Sequence, residues 1–118
     1  MSWDLDKNRP ICPQICEQIS VKIASDEYVA NQKLISVREL ALQAGVNPNT
    51  VQKAFEQLEL QGLIYSVRGS GWFVDANGSA EGTVKKLQQE KVALFFKEMK
   101  KLGLTSEQIK NYVKEWNE

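Results

Sequence analysis

Between Asn47 and Phe55 the chain carries Asn47, Asn49, Thr50, Gln52 and Lys53 and not one carboxylate. Asparagine and glutamine amides can make paired hydrogen bonds to adenine in a DNA major groove, and a threonine can meet a phosphate or a thymine methyl. A lysine beside them neutralises phosphate charge. Such a cluster suits recognition of a nucleic acid rather than bond breaking. Catalysis has little to work with elsewhere. The 118 residues include no histidine, which removes the commonest general base and the commonest metal ligand together. Gly69-Ser70-Gly71 leads into a strand, so it is a hairpin tip and not a phosphate-cradling loop. Without a paired nucleophile no catalytic set can be assembled, and neither enzyme activity nor a cofactor is expected. Cys12 and Cys16 are four apart on one helical stripe, too few ligands for a closed zinc site. They read as small buried hydrophobes, and no metal is expected.

The elements that must hold the amide cluster can be read from periodicity and caps. Ile11 to about Ser25 puts Cys12, Ile15, Cys16, Ile19 and Ile23 on one helical face, with Pro13 tolerated in the first turn. Ser36 and Glu39 have the spacing of a capping box and open a second helix, whose inner face is Val37, Leu40, Ala41 and Ala44. Gly45 stops it. Asn47 then caps a third helix with Pro48 in its first position, and Val51, Ala54, Phe55 and Leu58 repeat at helical spacing until Gly62. Two helices joined by the turn Gly45-Val46-Asn47 make a helix-turn-helix, with Ala41 as the small residue at the crossing. The β-prone runs Leu63 to Val67 and Trp72 to Val74, joined through Arg68-Gly69-Ser70-Gly71, turn that motif into a winged helix. Lys33, Arg38 and Arg68 would flank a bound duplex. Trp72 has two readings: it packs the wing onto the domain, or it touches the DNA backbone beside Arg68.

Asp75-Ala76-Asn77-Gly78-Ser79 has the composition of a linker, and the charge changes across it. Seven basic and nine acidic residues precede Ala76, whereas eight lysines and six glutamates follow. The whole chain carries 15 of each sign, so bulk charge hides the local exclusion of carboxylates from the third helix. The tail reads as two helices, from about Ala80 to Leu102 and from a capping box at Thr105 and Gln108 onward. Val92, Phe95, Phe96 and Met99 in the first, with Ile109, Tyr112, Val113 and Trp116 in the second, exceed the apolar surface such a short appendage can bury alone. A second copy of the chain would cover these residues, and twofold symmetry would present two recognition helices to a palindrome. The other reading folds the tail back onto the winged domain.

At these positions the sequence resembles the GntR family of bacterial transcription factors. The match runs through Pro10-Ile11, Gln14-Ile15, Ser36-Val37-Arg38-Glu39-Leu40-Ala41, Gly45-Val46, Asn49-Thr50-Val51, Gly62-Leu63-Ile64 and Arg68-Gly69-x-Gly71-x-Phe73-Val74. The run Asn47 to Ala54, with only a short tail after the wing, looks like the YtrA subfamily, whose two-helix tail mainly dimerises and whose members often repress ABC-transporter operons. Larger relatives carry an effector-binding domain in that place; a tail this short leaves little room for a ligand cavity, so no small effector is expected. Two arginines common in the family are replaced here by Pro48 and Gln52, which shifts binding toward Lys53, Arg38 and Arg68.

The expected fold is mainly α with a small β-hairpin: an N-terminal winged helix-turn-helix over residues 1–76 and a C-terminal two-helix dimerisation segment over 77–118. The expected DNA contacts are Lys33, Ser36, Arg38, Asn47, Asn49, Thr50, Gln52, Lys53, Arg68, Gly69 and Ser70. The implied activity is that of a cytoplasmic, homodimeric repressor on double-stranded DNA carrying a palindromic operator, with no membrane partner. The competing class is a winged helix that binds protein and not DNA.

Overall fold

The computed structural model describes residues 3–76, 78 and 80–117. Five helices and one hairpin follow in the order α1 (Ile11–Ala24), α2 (Val37–Ala44), α3 (Pro48–Leu60), β1 (Ile64–Val67), β2 (Gly71–Val74), α4 (Glu81–Lys101) and α5 (Ser106–Glu115). They form two compact units, Met1–Val84 and Lys85–Glu118. Among the described residues no helix is long and apolar enough to cross a membrane.

In the first unit α3 is the centre, and α1, α2 and β1 all pack on it. Val51, Ala54, Phe55 and Leu58 are fully buried, and their spacing of three, one and three residues confines them to one side of the helix. Ile15 and Ile19 of α1 and Leu40 of α2 close over that side. Gly45 ends α2 in the left-handed conformation at φ 67°, where its amide bonds the Ala41 carbonyl. A side chain is strained at that φ, which is why glycine stands at the bend.

The wing is antiparallel, with Ile64 opposite Val74 and Val67 opposite Gly71. Its second strand is paired on both edges. Lys33 bridges Phe73, and the Leu34 amide donates to the Trp72 carbonyl at 2.8 Å. Sequence periodicity shows no strand at 31–34, because too few residues pair there to leave an alternating pattern. The Trp72 ring meets Phe55 edge-on at 5.6 Å between centroids, so Trp72 packs the wing onto α3, the first of its two readings.

Asp75 and Gly78, from the stretch with linker composition, lie against this unit. The Asp75 amide donates to the Leu63 carbonyl at 3.0 Å, and a Cβ at Gly78 would collide with the Gly62 carbonyl. Ala80 is buried and Val84 packs against the core. The division between units therefore falls within α4, after Val84. Asn77 and Ser79, also in that stretch, lie outside the described residues.

In the second unit the turn at Gly103 (φ 92°) leads to α5, whose start carries a complete capping box between Thr105 and Gln108. Ile109 is fully buried, and Phe96 and Met99 are partly so. Leu87 and Leu104 are partly buried as well, but several other apolar side chains are open. Val92, Phe95, Tyr112, Val113 and Trp116 are between 40% and 68% exposed. Trp116 lies one residue beyond α5 in extended conformation and lines a groove with Phe95, Met99, Tyr112 and Val113.

The Cys16 thiol donates to the Ala54 carbonyl at 3.3 Å and so ties α1 to α3. Burial, helped by the neighbouring Cys12, pushes its pKa from 9.0 up to about 12. Keeping this thiol protonated contributes stability that is complete below about pH 9 and disappears as pH rises toward about 12. Thermal melts from about pH 8 to about pH 11 should therefore fall more steeply for the wild type than for Cys16→Ala. Phe55→Ala, which empties the centre of the first unit and removes the seat of Trp72, should cost about 3–5 kcal/mol in chemical denaturation.

Candidate nucleic-acid interface

Burying Val51, Ala54, Phe55 and Leu58 leaves the other side of α3 outward. Asn49, Gln52, Lys53 and Glu56 are exposed there, and Thr50 is half-buried. Thirteen residues make a rod about 20 Å long at about 1.5 Å per residue, and the rod's amino-terminal half fits a major groove about 12 Å wide. The helix begins cleanly. The Asn47 side-chain oxygen accepts from the Asn49 amide at 2.8 Å, and Pro48 stands where no amide partner is needed. The uncovered amides of the first turn give that end partial positive character. Asn47 has spent its oxygen on the cap, so its NH2 group remains to donate outward.

Ser36 caps α2 in the same way, its hydroxyl accepting from the Glu39 amide at 3.0 Å. The expected capping box is only half closed. Among the described residues Glu39 returns no bond to the Ser36 amide, because its exposed carboxylate stays in solvent. Among the described residues no acceptor takes the Ser36 hydroxyl proton, which can donate to an anion such as phosphate. Arg38 lies in the first turn of α2 and is exposed.

Arg68, Gly69 and Ser70 form the exposed wing tip, which closes through a Ser70 amide to Val67 carbonyl bond of 2.9 Å. Lys33 belongs with the wing and not with the helix-turn-helix. Its backbone pairs with Phe73, and its Cε lies 3.3 Å from where a Cβ on Gly71 would stand. On the wing Tyr65 stacks on Phe73 at 5.6 Å and donates its hydroxyl to Asn31 at 3.1 Å. The Ser66 hydroxyl donates to Glu59 at 3.2 Å and so ties the wing to the end of α3.

The candidate contacts thus fall into three groups: the face and cap of α3, the first turn of α2, and the wing with Lys33. Among the described residues no carboxylate engages Lys33, Arg38, Lys53 or Arg68. An anion arriving there has no internal ion pair to displace. The eight residues expected to dimerise lie in the second unit, and of these Ile109 is wholly inside it.

Sequence reasoning passed over the segment before α1. The Lys7 ammonium donates to the Ala44 carbonyl at 3.0 Å and the Gly45 carbonyl at 3.1 Å, at the helix-turn-helix bend. Nothing in the local pattern of residues 3–10 announces this, because both acceptors are backbone atoms 37 and 38 positions away.

Residues 13–74 match the family described as bacterial regulatory proteins, gntR family. The HTH-type transcriptional repressor YtrA of Bacillus subtilis is 31% identical, across 95% of this chain and 88% of its own length. The structure of a GntR family transcriptional regulator from Listeria monocytogenes superimposes with TM-score 0.77 at 36% identity, covering 96% of this chain and all of the other. The AraR DNA-binding domain, crystallised in complex with operator ORX1, superimposes with TM-score 0.54 at 36% identity over 63% of this chain and 90% of its own.

Capping and outward-facing residues separate by stability alone. Asn47→Ala should cost about 1 kcal/mol by removing the cap of α3. Gln52→Ala, on the bare face, should leave stability within about 0.5 kcal/mol of wild type in the same urea titration.

Proposed function

The chain belongs to the gntR family of bacterial regulatory proteins, and on that basis we propose that it is a homodimeric, DNA-binding repressor acting on a palindromic operator. The observation that carries the reading is the bare, carboxylate-free amino-terminal half of α3, held outward by the burial of its opposite side. Asn49, Thr50 and Gln52 read base edges from within the major groove. Lys53, with Ser36 and Arg38 of α2, holds phosphates beside them. Arg68, Gly69, Ser70 and Lys33 place the wing along the duplex. Replacement of two arginines by Pro48 and Gln52 moves base reading from guanine toward adenine, the base that amides bond in pairs.

The homodimer is supported by the exposed aromatic and aliphatic surface of the second unit. Phe95, Met99, Tyr112, Val113 and Trp116 line an open apolar groove, and a second copy of the same hairpin would cover it. Two winged domains then face two half-sites of a palindrome. The repressor role follows the YtrA relative. The subfamily resemblance points to a transporter operon as the target and to the cytoplasm as the place of action.

Fluorescence anisotropy with DNA selected from a random pool, at several salt concentrations, tests the reading. Gln52→Ala should alter preference at one base pair by about 1–3 kcal/mol. Arg38→Ala should weaken all sequences alike and lower the salt slope by about one. Equal losses on selected and random DNA for Gln52→Ala would remove it from base reading, and no affinity for any duplex would favour the protein-binding class. A chain ending at Val84 keeps Ala80 and Val84 in the core; it should sediment as a monomer and bind its operator at least about a hundredfold more weakly. A full-length chain that sediments as a monomer would refute the dimer.

A further inference from the structure

Residues 3–10 precede the stretch matched by the family pattern, which begins at residue 13, yet they are bound tightly to the first unit. Gln14 on α1 is buried, and its amide is saturated. Its oxygen accepts from the Asp6 amide at 2.7 Å, and its nitrogen donates to the carbonyls of Asp6 (2.9 Å), Pro10 (2.9 Å) and Arg9 (3.3 Å). Gln18 donates to the Asp4 carbonyl at 2.8 Å. Trp3 and Leu5 pack against the core, and the Lys22 ammonium sits 5.7 Å from the Trp3 ring centre. This segment is therefore a strap of fixed register along α1.

At the middle of the strap is Lys7. We propose that Lys7 is a positioning residue for sequence recognition: its ammonium, bonded to the Ala44 and Gly45 carbonyls, sets the bend between α2 and the recognition helix. The last turn of α2 holds no basic residue of its own, so Lys7 supplies the cation that the helix's carbonyl end favours. The two carbonyls it grips belong to the last residue of α2 and to the left-handed Gly45. Two residues later Asn47 caps α3. Trp3 adds a second tie to α2, its indole N–H donating to the Gln43 side chain at 3.3 Å. Rotation of the peptide units at Ala44 or Gly45 would tilt α3 as a body and carry Asn49 and Gln52 out of line with the base edges, whose readout tolerates about 0.5 Å and 10–20°. Lys7 is exposed, so its bonds contribute little to global stability, and their effect is felt in geometry.

This role rests on the DNA-binding reading above. The test compares wild type, Lys7→Met and Lys7→Arg on the duplex that the wild type selects from a random pool and on a scrambled duplex of the same composition, across a salt series. Lys7→Met should lose about fivefold in affinity for the selected duplex, with the scrambled duplex and the salt slope unchanged. Lys7→Arg keeps donors for both carbonyls and should restore the preference. Equal losses on both duplexes, with the slope reduced by about one, would make Lys7 a phosphate contact and overturn the proposal. A lower melting temperature with the preference intact would reduce Lys7 to a structural tie and overturn it as well. A wild type indifferent to duplex sequence would overturn the DNA reading itself, and the positioning role with it.

Discussion

Everything in the first unit depends on α3 being half buried along its length. Val51, Ala54, Phe55 and Leu58 are sealed beneath α1, α2 and the wing, and that burial is what obliges Asn49, Gln52 and Lys53 to face away. The same four side chains therefore determine both the core and the candidate interface. The Cys16 bond to the Ala54 carbonyl and the Trp72 ring on Phe55 both bear on this one helix. Shifting α3 by one residue would bring its polar side chains into the core and its apolar ones out.

Much of this was legible in the sequence because it is encoded locally. The caps at Ser36, Asn47 and Thr105, Pro48 in the first position of α3, and Gly45 at the bend are short-range devices, and each lies where the pattern predicts. The face of α3 followed from a single periodicity. What escaped is what chain topology brings together. The pairing of 31–34 with β2 runs through backbone groups that any residue could supply. Lys7 likewise bonds two carbonyls far along the chain, so no spacing rule finds it. The 75–79 stretch misled in a different way. Asp, Asn, Gly and Ser mark a change of direction whether the chain then wanders or doubles back, and here Gly78 permits a close approach to Gly62.

The two units manage apolar surface differently. In the first, aromatic side chains find partners within the unit, as Phe55 does with Trp72 and Tyr65 with Phe73. In the second, Ile109 alone among the described residues is fully enclosed, while Tyr112, Val113 and Trp116 stay more than half exposed. A two-helix hairpin has one seam, and residues off that seam have nothing of their own to lie against. The complete capping box at Thr105 helps α5 keep its shape where the packing is thin.

The basic groups of the candidate interface are Lys33, Arg38, Lys53 and Arg68, and the chain has no imidazole anywhere. A rise in dissolved ions screens these exposed charges directly and shortens the distance over which they act.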